Sequence, residues 1–141
     1  MNAIVEYYGL IESGEIITSY KVKRTYQHIV EDIIGNEQSL WEYDHDKARH
    51  AIDFIEVFTK HSKGNMGGQP FILELWQKAL VSAMFGIVDK IDETRKYQET
   101  VMIVGRKHGK STLSAAIGLY MMIADGELGP EIYSVARMVA T

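Results

Sequence analysis

The stretch from Val101 to Thr112, Val-Met-Ile-Val-Gly-Arg-Lys-His-Gly-Lys-Ser-Thr, constrains the fold of this chain more than any other. A short apolar run breaks at Gly105, basic residues come next, and Gly109-Lys110-Ser111-Thr112 leads into a long apolar pattern from Leu113 to Ala124. That order of residue types belongs to a phosphate-binding loop joining a buried strand to a helix. The loop is unusual in two ways. The usual spacing puts the first glycine at position 104, where this chain has Val104, so Gly105 comes one residue late. Arg106 and Lys107 then fill a segment that is normally small and flexible.

The chemistry expected of such a loop comes from its backbone. Tight turns at Gly105 and Gly109 direct successive N–H groups inward and make an anion-binding concavity at a helix N-terminus. The helix dipole adds a partial positive charge at the same end. Lys110 is placed to reach the β- and γ-phosphates of a nucleotide, and Ser111 to ligate Mg²⁺ through its hydroxyl. Thr112 adds a hydroxyl further back along the phosphates. Two readings of Arg106 stand side by side: a solvated loop arginine paired with Asp125 or Glu127, or a cation close enough to the γ-phosphate to stabilise transition-state charge. His108 reads as loop filler in preference to a catalytic base. The competing account of the whole motif is a Gly- and Lys-containing turn capping a core helix; the strand before, the helix after and the concentration of basic residues favour phosphate.

Composition bounds the rest. A chain of 141 residues is the size of one domain, enough to bury roughly 70% of its unfolded surface. A net charge of −4 argues against strong nucleic-acid binding by this chain alone, which needs clustered cations. Two segments are locally basic, Lys21-Val22-Lys23-Arg24 and Arg106 to Lys110. The absence of cysteine excludes disulfides and thiolate metal sites and fits a reducing cytoplasm. No apolar run approaches the ~18 residues of a membrane span. The start, Met1-Asn2-Ala3-Ile4, lacks the basic and apolar pattern of a signal peptide.

Apolar spacing predicts a helix from Ser19, its N-cap, to Ile34, with Gly35 as C′ residue. A second helix is expected after Tyr43-Asp44 to about Lys63, with Ala48, Ile52, Ile55 and Phe58 on its buried stripe and Gly64 as its stop. Lys63 to Pro70, with three glycines and a proline, reads as a loop. A third helix is expected over roughly Glu74 to Phe85. Ile87-Val88 and Tyr97 to Val104 then read as a hairpin about Asp92-Glu93-Thr94-Arg95, its second strand becoming central and buried because Val101 to Val104 is apolar without alternation. The post-loop helix is expected from about Lys110 to Ala124, then a turn over Asp125 to Pro130 and a strand over Glu131 to Ala136. The fold class is α/β: a helical N-terminal segment followed by the start of a P-loop NTPase parallel sheet, truncated and incomplete.

The segment Gly-Arg-Lys-His-Gly-Lys-Ser-Thr closely resembles the Walker A motif of the large subunit of tailed-phage terminases, in which an arginine comes after the first small residue. Gly68-Gln69-Pro70-Phe71-Ile72-Leu73-Glu74-Leu75-Trp76-Gln77 resembles the family's Gly-x-Pro-Phe-x-Leu-x-Pro-Trp-Gln segment. Gly14-Glu15-Ile16 through Phe54-Ile55-Glu56 resembles its helical lead-in. Ala124 to Glu127 and Glu131 to Ala136 resemble the segments downstream of its Walker A helix. The resemblance covers about residues 5 to 137.

Its implications are specific. Gln77 takes the place of the adenine-reading glutamine, whose amide both donates and accepts; without the resemblance it reads as a helix-surface glutamine. Trp76 and Phe71 read as core residues before base-stacking ones. Gly105, Arg106, Lys107, His108, Gly109, Lys110, Ser111 and Thr112 take the nucleotide-binding loop, with Arg106 as the motif's catalytic cation and ATP and Mg²⁺ as cofactors. Residues 1–67 are expected to form the helical lead-in and 68–141 the first part of the ATPase domain, with the adenine-motif helix, the hairpin, the Walker A unit and the next strand. Leu75 departs from the family's proline and lets the helix begin earlier. The family's Walker B acids, coupling motif and nuclease domain find no counterpart in the sequence, so the chain is expected to be an excised or truncated N-terminal part that at most binds nucleotide, without useful turnover. The family's full-length form is an ATPase and endonuclease that packages double-stranded DNA with a small terminase subunit and a portal protein in the cytoplasm of a bacterial host, from a phage or prophage gene, with no membrane partner. The alternatives are a non-enzymatic prophage remnant acting only by protein interaction, or a fragment of another P-loop translocase or helicase.

Overall fold

A computed structural model describes residues 2–62, 73–101 and 110–124. Two compact units are present, residues 1–103 and 104–141.

The first unit opens with a helix that sequence patterning did not single out. Helix α1 spans Ala3–Ser13. Asn2 caps it, its side-chain oxygen accepting from the N–H groups of Ile4 (2.9 Å) and Val5 (3.4 Å). It ends at Gly14, whose φ of +88° is a left-handed conformation that a side chain resists. Ala3, Ile4, Tyr7 and Ile11 are buried along one stripe. Helix α2, Tyr20–Ile33, starts after Ser19, whose hydroxyl accepts from the Val22 N–H, and the chain turns at Gly35 with φ +69°. Tyr26 and Ile29 are its buried residues. The Tyr26 ring meets that of Tyr7 edge-to-face, centroids 5.2 Å apart, which joins α2 to α1.

Strand β1, Trp41–Tyr43, precedes helix α3, His45–Ser62. Asp44 begins α3, its carboxylate accepting from the Lys47 N–H at 3.0 Å. Ala48, Ala51 and Ile55 are buried on it. Helix α4, Leu75–Gly86, carries Gln77, Ala79, Val81, Ser82, Ala83, Phe85 and Gly86 buried. Burial on so many positions marks a helix covered on several faces, and α4 packs against both α1 and α3. Its last residue sits where only glycine fits: a Cβ on Gly86 would lie 2.9 Å from the Cβ of Ala48 and 3.0 Å from the Tyr43 ring.

Strand β2, Ile87–Asp89, continues directly from α4 and pairs antiparallel with β1, Trp41 facing Asp89 and Tyr43 facing Ile87. One core cluster gathers Ile4, Tyr7, Ile11, Tyr26, Ile29, Ala79, Ala83 and Ile87, joining α1, α2, α4 and β2.

The expected hairpin needs correcting. The turn over 92–95 is present, but β2 meets residues 94–96, with the Asp89 N–H donating to the Thr94 carbonyl and the Lys96 N–H to that of Ile87, both at 2.9 Å. Residues 97–101 form no strand, and Val101 is exposed. The carboxylates explain the early return. Asp89 accepts from the N–H groups of Ile91 and Asp92, and Asp92 from that of Thr94, folding the chain back at once. Glu93 completes the turn at φ +62°. The remaining edge of β2 goes to β1, too short to stand out in the sequence. Among the described residues this two-stranded antiparallel sheet is the sole sheet.

In the second unit, helix α5 spans Lys110–Ile123. Leu113, Ala116, Ile117 and Tyr120 are buried, an i, i+3, i+4, i+7 stripe, while Met122 and Ile123 are exposed. The expected loop over 63–70 with its Gly64 stop, the strand residues Met102 to Val104, the turn over 125–130 and the strand over 131–136 lie outside the described residues.

Candidate functional site

Gln77 is the expected site residue whose side chain is described, and it is not on the helix surface. It is 6% exposed, at the third position of α4. Glu74, the N-cap, has extended backbone angles (φ −69°, ψ 160°), and Glu74 and Gln77 form a capping box. The Glu74 N–H donates to Gln77 Oε1 at 2.9 Å. The Glu74 carboxylate accepts from Trp76 Nε1 at 2.7 Å. Trp76 itself is partly buried and packs on the core cluster. Leu75 occupies the first helical position, the one place where proline is also accommodated, so a leucine there leaves the helix start unchanged.

A contact from Leu73 anchors this corner to α3. Its N–H donates to a Glu56 carboxylate oxygen at 3.2 Å, and Leu73 is buried. Glu74 was missed as a partner of Gln77 by sequence reasoning, although the signal was present: an acidic residue three places before a glutamine, at the start of an apolar helix, is a capping-box pattern.

Lys110, Ser111 and Thr112 form the first turn of α5. The first four N–H groups of a helix have no partner within it, so the backbone at these residues offers donors at the N-terminus of α5. Gly105, Arg106, Lys107, His108 and Gly109 lie outside the described residues, as does Phe71.

A cleft of about 420 Å³ opens in the first unit between α1, α3 and α4. Its described lining is mixed in charge, with Glu6, Arg49, Asp53, Glu56 and Lys78 around the fully buried Ser82. Arg49 and Asp53 face each other at 3.7 Å, both well exposed, a pair of little energetic weight. Gln77 is not among the described lining residues. No group of three or more His, Cys, Asp or Glu suited to a metal ion occurs among the described residues. No helix among them is long and apolar enough to cross a membrane.

Burial pushes the phenol of Tyr26 far above its ordinary range, with Tyr7 beside it adding to the shift. Tyr7 and Tyr43 are also raised, both chiefly by burial. These are structural phenols, held neutral by packing.

No curated protein and no solved structure matches the chain. A family model does: residues 75–139 match the terminase large subunit, ATPase domain. That span begins at the first residue of α4, includes Gln77, and takes in the Gly105–Gly109 segment and α5. Residues 75–139 are therefore similar to the ATPase domain of a terminase large subunit.

Proposed function

We propose that this chain binds Mg²⁺–ATP as the N-terminal part of a DNA-packaging motor subunit. The observation that carries the reading is the family match over residues 75–139, which takes in both Gln77 and the Gly105–Thr112 segment. The start of α5 at Lys110 supports it, because a phosphate loop requires a helix to begin at its lysine.

In this reading residues 1–67 lead in, and 68–141 open a P-loop ATPase domain whose parallel sheet begins with the apolar run Val101–Val104. Gly105 and Gly109 let the backbone wrap the phosphates as a Walker A motif. Lys107 and His108 fill that loop. The Lys110 ammonium neutralises β- and γ-phosphate charge, Arg106 stabilises charge on the γ-phosphate, and the Thr112 hydroxyl supports the loop further back. Ser111, in the first turn of α5, would hold Mg²⁺ through its hydroxyl, and the ion would supply positive charge to offset that of the phosphates. Gln77 reads the adenine edge. The full-length motor would couple ATP hydrolysis to movement of double-stranded DNA, working with a small subunit and a portal in the cytoplasm of a phage-infected or prophage-bearing bacterium.

The test is an ATP titration of the purified chain with and without Mg²⁺, followed by thermal shift. ATP is expected to raise the melting temperature, and Mg²⁺ to increase that rise. In Ser111→Ala the Mg²⁺-dependent part is expected to vanish while the Mg²⁺-free part persists. No shift in the parent chain at millimolar ATP would overturn the proposal.

A further inference from the structure

We draw no further inference here: the strongest candidate, the cleft of about 420 Å³ between α1, α3 and α4, carries nothing, because the unpartnered Ser82 hydroxyl in its lining is 0% exposed and lies beside the Tyr43 phenol rather than open to a ligand, and nothing in the structure shows what covers its mixed-charge rim.

Discussion

Substituting Gly86 by alanine tests whether the junction of α3, α4 and the sheet is as close as described. The added Cβ would lie 2.9 Å from Ala48 Cβ and 3.0 Å from Tyr43 Cε2. Ala48 Cβ cannot rotate away, because it is fixed to the backbone of α3. Nor is the Gly86 backbone free to shift: its carbonyl accepts from the Asp44 N–H at 2.7 Å, tying the end of α4 to the start of α3. Relief therefore means moving one helix against another. Overpacking of this kind typically costs about 1–3 kcal/mol. Alanine recovers up to about 1 kcal/mol through helix propensity. The net loss expected is on the order of 1–2 kcal/mol, or roughly 3–8 °C in melting temperature for a chain of this size. Urea unfolding and a thermal melt of Gly86→Ala measure it. The double variant Ala48→Gly/Gly86→Ala should show positive coupling, losing less than the sum of its parts. An equal or higher melting temperature for Gly86→Ala would refute the close approach, since propensity alone predicts stabilisation.

Three further outcomes rest on single contacts. Lys96 pairs with Asp32 and lies over the rings of Trp41 and Tyr97 at 5.2 and 5.3 Å, so Lys96→Ala should cost about 1–2 kcal/mol by urea unfolding; no measurable loss would contradict that cluster. Tyr26 keeps its proton in the folded chain to a higher pH than in the unfolded one, so its contribution is intact below about pH 10 and declines above it as the unfolded phenol ionises. Chemical unfolding at rising pH should show this decline, and Tyr26→Phe should make it shallower; an unchanged slope would argue against burial of the hydroxyl. Glu93 adopts φ +62°, so Glu93→Gly should be neutral or stabilising by up to about 1 kcal/mol, while Glu93→Val should destabilise by about 1 kcal/mol or more; paired thermal melts check both, and equal melting temperatures would contradict the left-handed backbone.

Sequence patterning located α2, α3, α4 and α5 closely because each carries a periodic apolar stripe, and three have a readable start at Ser19, Asp44 or Glu74. Helix α1 is equally well marked, by Asn2, the Ile4-Tyr7-Ile11 stripe and Gly14, yet a chain's extreme start is read first for targeting signals. Strand β1 was illegible for a different reason. Three residues, Trp41-Glu42-Tyr43, are too few to establish alternation, and their pairing with Ile87–Asp89 spans a separation that no local pattern encodes. The same long-range pairing displaced the expected hairpin, whose return is set by the carboxylates of Asp89 and Asp92. At the candidate site the resemblance singled out Gln77, but its burial comes with α4 packing against α1 and α3. Local spacing could suggest the capping box; it could not show that the amide is enclosed.

The central claim is that the glycine-lysine loop ahead of α5 holds nucleotide phosphates. Its most direct test is calorimetric titration of Mg²⁺–ATP into the chain and into Lys110→Ala. Saturable binding in the parent, with loss of measurable binding in Lys110→Ala and an unchanged circular dichroism spectrum, is the predicted result. Equal affinity in the two proteins would contradict it.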